Sequence, residues 1–157
     1  MTMTDARLHE VATKALQARY RRDIGELDYR RQVVVMVDSG VSQTAIAKLV
    51  GVKQPTIHRL VERARSVVMP REGFSGADPF EICERYAADL ITRDQLVDEL
   101  TRWDYTPRQT TVNELDDLVV NGPGTTADLE RALRQGLIDD DLFDEVADRL
   151  EFRRPAA

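Results

Sequence analysis

The interval Val50-Gly51-Val52-Lys53 constrains this chain more than any other feature, because it joins two stretches with helical spacing. In the first, Ser42 is suited to cap a helix ending near Val50, with Ile46, Ala47 and Leu49 or Val50 turned inward. In the second, Ile57, Leu60, Val61 and Ala64 recur at intervals of three and four, the buried stripe of a helix running to about Val67. Gly51 supplies the left-handed residue that a sharp corner needs. Pro55 suits a first helical turn, where its missing N–H would have no intrahelical partner. Ala47 is small enough for the two helices to approach closely. Two helices with so short a connection must cross, which predicts a helix–corner–helix unit.

The same signals organise the rest of the chain as all-α. A first helix is expected over about 6–22, with Leu8, Val11, Ala12, Ala15, Leu16 and Ala18 mostly on one face, broken at Gly25. A second is expected over 28–38. Its Val33–Val37 run also fits a strand, but Tyr29, Val33, Met36 and Val37 keep helical spacing and Ser39-Gly40 supplies a stop. Between Met69 and Pro79 two prolines and two glycines mark a boundary. Asp78-Pro79 then opens a helix over 79–89, and Thr92-Arg-Asp-Gln95 opens another over 93–102 as a capping box. An irregular stretch over 103–124 precedes helices at 126–135 and 140–150, separated by Gly136. The expected division is residues 1–69 as an N-terminal helix-turn-helix bundle, 70–78 as a linker and 79–157 as a small acidic helical domain.

Charge divides the chain at the same place. Of 157 residues, 1–72 carry 13 Lys+Arg against 8 Asp+Glu, whereas 73–157 carry 9 against 20. The first part is +5 and the second −11, which predicts two tasks, of which only the first suits contact with phosphates. No apolar run reaches the roughly 18 residues of a membrane span, and the polar N-terminus lacks a signal core, so the expected location is the cytoplasm. Cys83 is the single cysteine, and His9 and His58 have no metal-ligand spacing. No cofactor, metal or catalytic set is expected, and an enzyme is not the reading.

The second helix of the corner unit exposes polar and basic side chains. With Ile57 inward, Pro55, Arg59 and Glu62 lie opposite, flanked by Gln54, Thr56, His58 and Arg63. Gln54 has the paired donor and acceptor that match an adenine edge, and Arg59 or Lys53 matches guanine. His58 can donate to a base or a phosphate, and Pro55 and the Thr56 methyl can touch a thymine methyl. Gln43, in the first turn of the preceding helix, is suited to bind a phosphate, and Arg63, Arg65, Arg30 and Arg31 are further candidates for backbone contacts. Ser42-Gln43, Ala47, Gly51-Val52, Gln54, Ile57 and Arg59 together resemble the helix-turn-helix of phage repressors and related bacterial regulators over about 20 residues. The resemblance implies double-stranded DNA as a partner. Lys53 departs from it, standing where Ser or Thr usually caps the recognition helix.

The acidic part carries a weak repeat: residues 84–100 align without gaps to 130–146, with six of 17 positions identical. Residues 84–96 are loosely similar to a helix–corner–helix stretch in antitoxins of Fic-type toxins, which implies a toxin as partner through residues 79–157. The inhibitory motif of those antitoxins is broken here, since Arg131 follows Glu130. A homodimerisation or second DNA-contacting module of a phage-type immunity repressor, and a small ligand-sensing domain, are the alternatives. Asp139-Asp140-Asp141 reads as a helix cap, Trp103 and Tyr105 as core, and Cys83 as a buried inert thiol.

Overall fold

A computed structural model describes residues 3–107 and 122–153, and among these it is all-helical, with seven helices and no strand. The helices are α1 (Asp5–Asp38), α2 (Gln43–Val50), α3 (Gln54–Ala64), α4 (Pro79–Ala87), α5 (Arg93–Arg102), α6 (Ala127–Arg134) and α7 (Asp140–Arg153). None is long and apolar enough to cross a membrane. The chain divides into two compact units, one of residues 22–69 and one of residues 1–21 together with 70–157.

Gly25, expected to break the first helix, does not do so. It lies inside α1, whose 34 residues run without interruption. An internal glycine costs only about 1 kcal/mol relative to alanine, too little to stop a helix whose flanks are both held by packing. The Val33–Val37 run is helical: Val33 is fully buried, Tyr29, Met36 and Val37 pack on the same cluster, and Val35 is exposed.

Unit 22–69 is organised around Val33, Ile46, Ala47, Ile57 and Val61. Ser42 caps α2 by accepting from the Ala45 N–H at 3.2 Å. Gly51 adopts φ 76° and ψ 32°, the left-handed conformation expected of the corner. Leu49 and Val50, one of which was expected inside, are both exposed, Leu49 at 72%. Ile46 and Ala47 already fill the side of this two-turn helix that meets the core. α3 ends at Ala64, three residues short of the expected Val67.

The larger unit packs α4–α7 around Ile82, Leu96, Leu100, Trp103, Leu129, Leu142 and Val146. Asp78 caps α4 by accepting from the Glu81 N–H at 2.8 Å, with Pro79 as the first helical residue. Only half of the Thr92–Gln95 capping box forms. Thr92 Oγ1 accepts from the Gln95 N–H at 3.1 Å, but the Gln95 amide donates to Glu99 Oε1 at 2.9 Å. The expected irregular stretch over 103–124 lies in large part, 108–121, outside the described residues.

Residues 70–78, expected as a linker, are held to α4 and α5. Glu99 Oε2 accepts from the Ser75 N–H at 2.9 Å and its hydroxyl at 2.7 Å, and Glu81 Oε2 accepts from the Ala77 N–H at 2.9 Å. Phe74 stands edge-on to Trp103 at 4.8 Å between ring centres. The buried Glu81 is also paired with buried Arg85, 2.8 Å away.

α4–α5 and α6–α7 repeat one helix–corner–helix design, and the equivalent corner bonds lie 47 residues apart rather than 46. Leu90 N–H donates to the Arg85 carbonyl and Leu137 N–H to that of Ala132; Asp89 donates to Tyr86 and Gly136 to Leu133. Asp89 and Gly136 are the left-handed residues, at φ 59° and 72°. The caps of the second helices, Thr92 and Asp139, are also 47 apart. The 46-residue register of the sequence follows the buried leucines instead: Leu96 lies four residues after its cap and Leu142 three, and both spacings fall on one helix face. Asp139 accepts from the Leu142 N–H at 2.8 Å, so the aspartate run serves as a cap.

Candidate nucleic-acid interface

α2 and α3 meet at the Gly51 corner and bury Ile46, Ala47, Ile57 and Val61 between themselves and α1. That packing fixes the outward face of α3. Lys53, Gln54, Pro55, Thr56, His58, Arg59 and Arg63 are all exposed, and Gln43 at the start of α2 is half-buried. Lys53 is the N-cap residue of α3 but makes no side-chain cap bond, and Pro55 lies in the first turn. The Thr56 and Ile57 N–H groups donate to the Lys53 carbonyl at 2.9 and 3.3 Å, so it is the side chains of that turn that face water.

Three of the sequence-selected residues form one cluster. Gln43 Oε1 accepts from Gln54 Nε2 at 3.3 Å and lies 3.3 Å from His58 Nδ1, which donates when it carries the ring proton. Gln43 thus ties the start of α2 to the first turn of α3, while its own amide N–H groups stay available as donors. Sequence reasoning gave Gln43 a phosphate and missed this bridging role, since a contact between residues 11 and 15 positions apart has no local signature.

The arginines sort differently from the expectation. Arg59 is exposed, with Nε 3.4 Å from the Pro55 carbonyl. Arg31, expected among the backbone-contacting residues, is only 3% exposed. Its Nε and Nη2 donate to the Val68 carbonyl at 3.0 and 2.7 Å, and Nη1 lies 3.7 Å from Asp28. It pins the segment after α3 to α1 and does not reach the surface. Arg30, its neighbour, is on the open side and pairs with Glu26 at 3.0 Å. Arg65 pairs with Glu62 at 3.2 Å.

Between α1 and α3 lies a groove of about 310 Å³ lined by Glu26, Tyr29, Arg30, Thr56, Arg59, Leu60 and Arg63. Three guanidinium groups and one carboxylate face it.

The larger unit buries four charged side chains, Glu81, Arg85, Glu99 and Asp128. Burial pushes the Cys83 thiol up to about 12, with the neighbouring carboxylates Asp128, Asp78 and Glu84 adding to the effect. That thiol is unreactive at neutral pH. Burial also raises the Asp128 carboxyl, opposed by the Gly124 N–H that donates to it at 2.8 Å. Trp103 is buried, and Tyr105 donates its hydroxyl to the Leu100 carbonyl at 2.7 Å, so both serve packing.

No family model, curated protein or solved structure matches this chain.

Proposed function

We propose that this chain is a sequence-specific DNA-binding transcriptional regulator, acting as a repressor. α3 enters the major groove and reads bases with Gln54, Arg59 and Lys53, assisted by Pro55, Thr56 and His58. Gln43 and Arg63 hold the backbone. The observation that carries this reading is the α2–α3 corner itself: a left-handed Gly51, a buried Ile57 and Val61, and an uncovered polar-basic face with Gln43 linking Gln54 and His58. The acidic part, −11 over residues 73–157, is repelled by phosphates and serves protein contact, as in the antitoxin and autoregulator of a cytoplasmic toxin–antitoxin pair.

The alternative is a phage-type immunity repressor that pairs with a second copy. It is favoured by the exposed apolar side chains Leu8, Val11 and Leu16 along the start of α1, and Met3 just before it, since helix-turn-helix proteins commonly bind two half-sites as dimers. Selection of bound duplexes from a random-sequence pool tests the shared part: an enriched motif is expected, and retention of unenriched DNA alone would sink it. Native mass spectrometry of protein isolated from its host separates the two readings. A different polypeptide in fixed ratio supports the antitoxin, and a homodimer supports the phage-type repressor.

A further inference from the structure

We propose that the groove between α1 and α3 is a phosphate-binding site in which Glu26 competes with the incoming anion for Arg30. The inference rests on the DNA-binding reading only for the source of the phosphate, a backbone diester beside the bases that α3 reads.

The groove has an excess of donors. Arg30, Arg59 and Arg63 line it together with the hydroxyl-bearing Thr56 and Tyr29, and Glu26 is the one acid among the lining residues. Glu26 is committed to Arg30, Oε1 to Nε at 3.0 Å. Arg59 makes one long bond to a backbone carbonyl, and Arg63 has no ion-pair partner among the described residues. Among the described residues, therefore, neither Arg59 nor Arg63 has an ion-pair partner. Arg59 and Arg63 are four residues apart on one helix, a spacing at which like charges repel. The fold gains nothing from that arrangement, whereas a tetrahedral oxyanion would accept from the planar forks of several guanidinium groups at once.

The Glu26–Arg30 pair sets the response. It has the favourable order for a helix, the acid four residues before the base, yet Arg30 is 35% and Glu26 54% exposed, so the pair is weak and exchangeable. A phosphate entering the groove takes over Arg30 and must overcome the neighbouring carboxylate. Glu26 thereby lowers affinity for any DNA equally, without touching a base. This leaves discrimination to the first turns of α3.

The test is fluorescence-anisotropy titration of Glu26→Gln and Arg30→Gln against wild type, on the selected duplex and a random one, over a range of salt. Thermal melts check that both variants fold. Glu26→Gln is expected to bind both duplexes about 2- to 5-fold more tightly. Arg30→Gln should weaken both alike and reduce the slope of log K against log salt by about 0.9. In parallel, inorganic phosphate is titrated while the arginine Nε–H signals are followed by NMR, and shifts at Arg30, Arg59 and Arg63 are expected. If wild type binds its selected site and both variants match it, the groove is not a phosphate site and the DNA reading stands. If phosphate shifts the three arginines but no duplex binds, the groove stands and the DNA reading falls. If neither phosphate nor DNA has an effect, both fall.

Discussion

The two units of this chain treat charge in opposite ways. In residues 22–69 the core is a cluster of five buried apolar residues, and the charged side chains lie outside it, apart from Arg31. In the larger unit the cluster holds twelve, and Glu81, Arg85, Glu99 and Asp128 are buried beside it. A small unit with a thin core cannot repay the desolvation of many ions, so its polar groups remain outside, where they can meet a ligand. The larger unit uses its buried ions to hold backbone: Glu99 the Ser75 amide, Glu81 the Ala77 amide, Asp128 the Gly124 amide. The buried ions of the larger unit thus serve its structure, whereas the polar side chains on the outer face of α3 are left to solvent.

The sharpest way to break that contrast is Arg85→Ala, which leaves Glu81 buried without its 2.8 Å partner. A loss of about 3–5 kcal/mol is expected by urea denaturation. A loss below 1 kcal/mol would mean that the buried ions are incidental. On the outward-facing side, Gln54→Ala should weaken the selected DNA site by about 1–3 kcal/mol with little change on random DNA, and Arg59→Ala, which also opens the phosphate groove, should weaken the selected site more than random DNA; both should leave folding stability nearly unchanged. Equal losses on random DNA would remove these residues from base reading.

Gly25→Ala sharpens the account of α1. The site is helical and exposed, and an added Cβ meets nothing within 4 Å, so a gain of about 0.5–1 kcal/mol in thermal unfolding is expected. Destabilisation would mean that the helix needs its glycine.

The smallest effect concerns Glu145, whose carboxyl is held below its ordinary range chiefly by the hydrogen bond from Arg93, 2.6 Å away. A carboxyl with a depressed folded-state value contributes stability above its unfolded value of about 4.5, and loses it as pH falls through the folded one. Glu145→Gln should therefore be less stable than wild type at pH 7, with the two converging in acid. A constant difference across the titration would assign the effect to packing.

The sequence by itself determined the helical class, the Ser42, Asp78 and Asp139 caps and the left-handed Gly51 corner. Each depends on a side chain and a backbone group within a few residues of each other. It also determined the outward face of α3, because Ile57, Val61 and Ala64 fix the opposite one. Tertiary structure alone decided the rest. Arg30 and Arg31 are adjacent and chemically identical, yet one lines a groove and the other is buried on the Val68 carbonyl, 37 residues away. Gly25 stays helical because its flanks are packed by distant parts of the chain, an energy that no local propensity contains. The repeat register of 46 followed the leucine stripe, while the corners obey 47, since burial tolerates a step of three or four residues and hydrogen-bonded caps do not. Local hydrogen bonding is written into a few neighbouring letters; burial is a property of whatever the rest of the chain brings alongside.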